Sequence, residues 1–539
     1  MKIFNSIHYN KNQIILILSI FLVVVGVGLR FYHITRDDFV FYDEGFYLNH
    51  NRLLGDLLEK SYPTNFSDLM KALGVFTKLA MASGKTLWFL LADARFFFGG
   101  LKLWALPRVL SAILGSLTLW VAFRFAKKFY ESKEVAWLTV GLLAVLPSHV
   151  FYSRIGMQEA LSTILVLAGF YFYVFSRRAG LRTIISGLFF GAAFFSNYRL
   201  IILPVLVGFC ELWLGILAER KINFRKYLWF LLTFLSCVFF VGNLHDAANT
   251  VVIFSWIFHQ SHLAEQQWSW INLLSYPYYL FRLDGVLLAS AFFSASYFIF
   301  KREWRVSFPF AIAFLQMLIF SFAGDKGARY ICVVFPFVAM AAAYTMIYFI
   351  RRVNEVRLTI FSLVFILLMS GFLLKKAVAI ATIDSDYKES AEFVMAKDRN
   401  VKFLSTQNYV QNLYTPNPKN VQPCPHNFNE LANYYAKGFR YFIVGPQGYI
   451  SWAKNNKKFT PELEGYLSFV SDRIPPVKTF PHFSYTMLER FVFEHSENLD
   501  RSIKFLNIAR KEDFGKLKVY DLSQTINIVL YALSQQPMQ

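Results

Sequence analysis

Hydrophobic and polar positions in this chain fall into long blocks, with little short-period alternation. Apolar runs near the roughly 20 residues that cross a bilayer core recur along the first two thirds. They lie at 13–32, 104–125, 134–150, 159–175, 183–195, 200–217, 227–242, 284–300, 306–323, 330–350 and 358–374. The pattern predicts about eleven membrane spans. No small-residue cleavage pattern follows the first run, which therefore reads as a retained anchor. Between the first two spans, 35–103 holds apolar pieces too broken to cross, 69–82 and 86–98, the latter interrupted by Asp93 and Arg95. These predict amphipathic helices lying at the interface.

From about residue 381 the blocks shorten and polar residues return. The spacing predicts a helix over 387–397, a strand over 401–405 and a helix over 429–437. That helix runs into a strand over 439–444 that stops at Gly445-Pro446, and a last strand covers 517–522. Helices alternating with short buried strands predict a small α/β domain. The expected organisation is a polytopic α-helical membrane domain, 1–380, including the extracytoplasmic loop 35–103, followed by an extracytoplasmic soluble α/β domain, 381–539. No internal repeat or Gly-rich phosphate loop stands out.

Composition supports the membrane reading: hydrophobic residues make up 56% of the chain and charged ones 17%, with 60 Phe. The net charge of +20 raises the question of nucleic acid. Its distribution argues against that, because the basic residues sit mostly in short turns between spans. With the N-terminus in the cytoplasm, the inner turns receive Lys2 and Lys11; Arg124, Lys127, Lys128 and Lys133; Arg177, Arg178 and Arg182; Arg220, Lys221, Arg225 and Lys226; Lys301, Arg302 and Arg305; and Arg351, Arg352 and Arg357. Lys375 and Lys376 are the exception. An odd number of spans then sends the tail outside, giving an integral protein of the inner or plasma membrane in contact with its lipids. Four cysteines, three of them in apolar runs, form neither a disulfide framework nor a metal spacing.

In this topology the polar residues that are costly in lipid collect on the outer side. The loop after the first span carries Phe39-Val-Phe-Tyr-Asp43-Glu44-Gly-Phe-Tyr47. Two adjacent carboxylates walled by aromatics at a bilayer surface need solvent, a cation or a metal to offset them. We read Asp43 and Glu44 as the anchor of a membrane-facing active site. Other outer segments add His149 to Glu159 with Arg154, then Ser196 to Arg199, Asn243 to Asp246, and Gly324 to Tyr330 with Lys326 and Arg329. Paired carboxylates beside Arg and Lys suit chemistry on an anionic leaving group such as a phosphate. Plainer roles also fit: snorkelling for Arg154, Arg199 and Arg329, helix capping for Glu159, and an interfacial belt for Tyr42, Tyr47 and Tyr152. His259 and His262 have no third ligand in reach of the pattern.

The order of these pieces resembles the polyprenol-phosphate-dependent glycosyltransferases of the GT-C membrane fold. The nearest group is the protein O-mannosyltransferase and aminoarabinose-transferase superfamily, in its bacterial branch. The resemblance rests on Asp43-Glu44 after the first span, Leu106-Pro107-Arg108 opening the second, and Tyr152-Ser153-Arg154 with Glu159 beyond. It also rests on the late Lys326-Gly-Ala-Arg329-Tyr330 followed by Pro336. The chain departs from the family at Ser83-Gly-Lys85, where many relatives carry a Pro-Pro pair. The resemblance implies a donor sugar on a polyprenyl phosphate and an acceptor that is a lipid, a glycan or a protein. It implies Asp43 as the acid–base carboxylate, with Glu44 and Glu159 supporting it. Arg154, Lys326 and Arg329, with Tyr330, would hold the donor phosphate. It fixes no cofactor, and a divalent metal on Asp43 and Glu159 stays open. Transport of lipid-linked saccharides and oligosaccharide ligation are the competing functions.

Overall fold

The computed structural model describes residues 2–38, 40–60, 85–92, 102–243, 270–323, 326–352, 356–425, 427–445, 475–481, 485–494, 498–511, 516–524 and 527. The predicted helix 69–82, His245, Asp246, the His259/His262 pair, Ser83 and Gly84 of the family departure, and Gly324 and Asp325 lie outside the described residues. The chain divides into two compact units. One comprises Met1–Thr35 with Leu53–Ala381; the other comprises Arg36–Arg52 with Thr382–Gln539. The carboxylate pair of the first loop thus clusters with the tail.

The first unit is helical. Among the described residues six helices are long and apolar enough to cross a membrane: Asn12–Phe31, Ala105–Tyr130, Tyr198–Ala218, Trp304–Ser321, Ala328–Arg352 and Ile360–Ala381. Three shorter apolar helices, Glu159–Val174, Leu181–Ser196 and Val286–Phe300, accompany them. Helices also occupy the remaining predicted stretches, Lys133–Val145 followed by Pro147–Tyr152, and Phe224–Asn243. Helices thus occupy all eleven predicted stretches, and six of them have by themselves the length and apolarity of a crossing. One stretch is broken in two: Leu146 takes an extended conformation ahead of Pro147 and ends its helix there.

The apolar outer surface is what a lipid-facing bundle presents. Trp120, Val205, Phe361 and Leu368 are each at least 60% exposed. Inside, small residues bring helices close together. A Cβ on Gly26 of the first helix would collide with the Ala144 backbone of Lys133–Val145, so only glycine lets those two helices meet there. Thr86–Ala92, the described part of the predicted interfacial helix 86–98, buries Trp88 and Phe89 within this unit. Leu90 and Leu91 stay exposed, so it is apolar on both faces.

The second unit is built on a five-stranded mixed sheet. Its strands are β1 (Lys402–Ser405), β2 (Val421–Pro423), β3 (Phe439–Val444), β4 (Lys478–Phe480) and β5 (Leu517–Asp521). They are ordered β2-β1-β3-β5-β4, with β1 parallel to β2 and β3, and β5 antiparallel to β3 and β4. Leu404, Phe442, Val444 and Tyr520 form its core with Leu431 of the helix Phe428–Ala436. That helix is capped by Asn427, whose side chain accepts the Glu430 N–H.

Candidate active site

The second unit carries Asp43 and Glu44 in the first turn of the helix Tyr42–Lys60. The local sequence explains the start. The Gly45 N–H donates to the Phe41 carbonyl at 2.8 Å, which closes the first helical turn. Glu44, three residues past Phe41, turns back so that its Oε2 accepts the Phe41 N–H at 3.3 Å. That is the reciprocal half of a capping box, and it uses a fully buried carboxylate. Asp43 is half-buried one position earlier, where the helix dipole favours a negative charge. Burial, then the neighbouring Asp43 and Tyr409, pushes the Tyr42 hydroxyl far above its usual range.

The aromatic wall around the pair comes from the tail. Tyr42 lies 5.7 Å from Tyr409 and 6.1 Å from Phe491, ring to ring, and Phe46 lies 5.4 Å from Tyr409. Gly45 faces Val410, and a Cβ there would sit 3.0 Å from its Cγ2. The Asn49 amide donates to the carbonyls of Gly45 and Tyr409, and Arg52 donates to Asn412 and Asn49. The strand of chain before the helix is pinned the same way. Lys388 pairs with Asp37 at 3.1 Å, the Tyr414 hydroxyl donates to the Asp37 carbonyl, and Ser385 donates to the Asp38 carbonyl.

The other predicted residues belong to the membrane unit. Arg154 donates from Nη1 to the carbonyls of Leu29 and Arg30, and from Nη2 to Ala381 at 3.1 Å. Its guanidinium thus ties the C-terminal ends of two helices, where a cation also meets the favourable end of each dipole. Glu159 opens its helix fully buried, and Gln158 donates to its Oε1 at 3.0 Å. The Glu159 carbonyl accepts from the Cys332 thiol at 3.9 Å, which brings it against the 3-10 turn Ala328–Val334. That turn holds Arg329 and Tyr330, both buried, and Lys326 just before it is buried as well. The Lys326 ammonium donates to the Ala323 carbonyl at 2.8 Å. Gln316 donates to the Tyr330 carbonyl. The Arg199 guanidinium stands 4.0 Å from the Tyr330 ring centre, and that of Arg329 5.8 Å from it. Glu159, Arg199, Arg329 and Tyr330 are therefore gathered, while Arg154 is engaged at the helix ends.

Two polar groups escaped the sequence reading. Arg30, at the end of the first span, is fully buried; it donates to the carbonyls of Gly26 and Ala144 at 2.6 Å and to Nδ1 of His149. Asp284 accepts both the N–H and the hydroxyl of Ser148, the residue before His149, at 2.7 Å. A charged residue at each predicted span boundary was the available signal. Among the described residues no three His, Cys, Asp or Glu side chains gather closely enough to hold a metal ion.

No protein-family model matches the sequence, and no curated protein matches it. Solved structures do. ArnT from Cupriavidus metallidurans, bound to undecaprenyl phosphate, aligns over 81% of this chain and 94% of its own, with 13% identity and a TM-score of 0.52. The Archaeoglobus fulgidus oligosaccharyltransferase, in complex with Zn and sulfate, aligns over 83% of this chain and 71% of its own, with 11% identity and a TM-score of 0.52. At such low identity the likeness is one of fold: this chain has the GT-C fold of those enzymes.

Proposed function

We propose that the protein is a membrane glycosyltransferase that moves a sugar from a polyprenyl phosphate to a lipid, glycan or protein acceptor. The observation that carries this reading is the buried cationic turn at Lys326, Arg329 and Tyr330, packed on the Glu159 helix within a GT-C fold. Buried cations next to a lipid-facing surface suit a phosphate that carries an isoprenoid. ArnT, of the same fold, has been seen with undecaprenyl phosphate.

In the proposed reaction Asp43 takes the proton of the acceptor hydroxyl or amine as that atom attacks the anomeric carbon. The bond from that carbon to the phosphate oxygen breaks, and the polyprenyl phosphate leaves with the electron pair. Lys326 and Arg329, with Arg199 beside them, offset its charge. Attack opposite the leaving phosphate inverts the anomeric centre. Glu44 holds the helix start that presents Asp43. Glu159 supports the cationic turn. Arg154 orders the helix ends beside it and belongs to the donor site through that role. A divalent ion on Asp43 and Glu159 is a separate proposal, read by turnover after chelation and after re-addition of Mg2+ or Mn2+. The proposed orientation keeps the N-terminus in the cytoplasm and the tail outside.

Purified protein supplied with a panel of polyprenyl-phosphate sugars should release free polyprenyl phosphate with one of them, in step with glycosylation of an acceptor. Movement of intact donor across vesicles without release would replace the enzyme reading by a transporter.

A further inference from the structure

The helices of the membrane unit alternate in direction, so the turns near 131, 176–180, 219–223 and 301–304 lie at the end away from Arg154 and Arg329. A cleft of about 440 Å³ opens there. Its inner wall is an ion pair, Lys226 to Glu211 at 2.7 Å, with both side chains only 10% exposed. Lys226 also stands 4.0 Å from the Tyr173 ring centre, and Asn223 donates its N–H to Glu211. Glu211 is thereby saturated from two sides. Its rim carries Arg177, Lys221 and Arg305, all exposed, and the one further acid that lines it is Glu219. Arg305 reaches Glu131 at 3.9 Å through an exposed pair, a contact worth little in water. Four cations against two carboxylates leave the cleft with an excess of two positive charges.

We propose that this cleft binds the phosphate headgroup of an anionic phospholipid. Charge alone would admit any phosphate; the surroundings select a lipid. The helix that forms one wall presents Leu212, Ile216 and Leu217 outward, each at least 40% exposed, and Ile222 at the cleft is 57% exposed. A headgroup phosphate on Arg177, Lys221 and Arg305 therefore leaves its acyl chains lying along apolar surface that water would otherwise meet. The saturated Glu211–Lys226 pair keeps the wall polar without repelling the anion. This site is independent of the transferase reading, since it lies at the other end of the bundle.

The test measures thermal unfolding of the full chain in neutral detergent. Phosphatidylglycerol and phosphatidylcholine with identical chains are added in parallel, and inorganic phosphate alone in a third arm. Wild type should gain several degrees more from phosphatidylglycerol than from phosphatidylcholine. The triple variant Arg177→Gln/Lys221→Gln/Arg305→Gln changes exposed positions, so it should fold, and it should lose that difference. A control triple variant, Lys301→Gln/Arg302→Gln/Arg352→Gln, removes the same charge from the same end outside the cleft and should keep it. Equal shifts with both lipids in wild type would overturn the proposal, as would an unchanged difference in the cleft variant or an equal loss in the control. Inorganic phosphate alone reproducing the phosphatidylglycerol shift would overturn the lipid assignment.

Discussion

Nη2 of Arg30 lies 2.6 Å from Nδ1 of His149, and neither side chain sees solvent beyond a few per cent. A guanidinium offers only donors, so the imidazole accepts at Nδ1 and carries its proton on Nε2. The same guanidinium holds the carbonyls of Gly26 and Ala144. It also reaches the Leu143 carbonyl at 3.4 Å, so removing it takes a donor from four acceptors at once. Arg30→Met should cost about 3 kcal/mol of stability by the usual penalty for unmet buried groups. The double variant Arg30→Met/His149→Leu should cost less than the sum of the singles, because one stranded acceptor disappears with the ring. Unfolding in detergent measures both; strict additivity would mean that the contact carries no coupling.

Asp43 and Glu44 separate by task. Asp43→Asn removes a base and should lower turnover by at least about 10²-fold while folding and donor binding persist. Glu44→Gln keeps an oxygen for the Phe41 N–H and should be mild in both stability and rate. Glu44→Ala leaves that N–H buried and should lower stability by about 1 kcal/mol. Near-normal turnover in Asp43→Asn would move the base elsewhere.

The cationic turn should read out in donor use. Arg329→Ala weakens donor binding more than it lowers protein abundance, and Arg329→Lys rescues only part, since Lys lacks the planar fork. Arg154→Ala should show the reverse balance, with lost stability ahead of lost donor affinity, because its guanidinium holds the helix-end carbonyls of Arg30 and Ala381. Equal behaviour of the two variants would remove the distinction.

The tail unit should respond to acid in an unusual direction. Burial, and then the nearby Asp384, raises the Asp38 carboxyl against the pull of Arg36; burial first, with Asp384, also raises Glu389. A carboxyl raised on folding binds its proton more tightly in the folded state. Stability therefore grows as pH falls through the window from the raised value down to the ordinary one, at about 4, and declines as pH rises through it. Lys388, raised chiefly by its bond to Asp37, acts at the alkaline end, where its contribution is lost. Asp38→Asn/Glu389→Gln should flatten the acid-side gain relative to wild type, measured by proteolysis of the tail in the full chain. An unchanged pH profile would show that these two carboxyls do not titrate on folding.

Orientation has its own test. A reporter after Leu522 should read as extracytoplasmic and one within 177–182 as cytoplasmic. Both on one side would invert or break the proposed topology.

Long elements were legible because their patterns repeat. Apolar runs announced the long helices of the membrane unit, though not the short ones over 270–284, and β1, β3 and β5 surfaced as short apolar strands in a polar tail. β2 and β4 have three residues each, too few for a period to register. The helix Tyr485–Glu494 did carry a signal, with Met487, Leu488, Phe491 and Val492 on its buried face. Asp43 and Glu44 stood out by chemistry, yet their aromatic neighbours Tyr409 and Phe491 are set by long-range packing that no local pattern encodes. Arg30 resembled any arginine ending a span, because its partners besides His149 are backbone carbonyls, which every sequence has.

The Asn49 amide and its Tyr409 acceptor are 360 residues apart along the chain. During synthesis the first loop emerges early, whereas Tyr409, Asn412 and Phe491 follow only after the last span has been made. The helix bearing Asp43 must therefore wait, carboxylates in place but without its aromatic and hydrogen-bonding collar, until the chain through Phe491 has been made. A nascent or prematurely terminated chain can insert its spans and still lack the finished setting of Asp43. The proposed catalytic loop is thus completed long after its own synthesis, which defers activity until the chain through Phe491 has been produced.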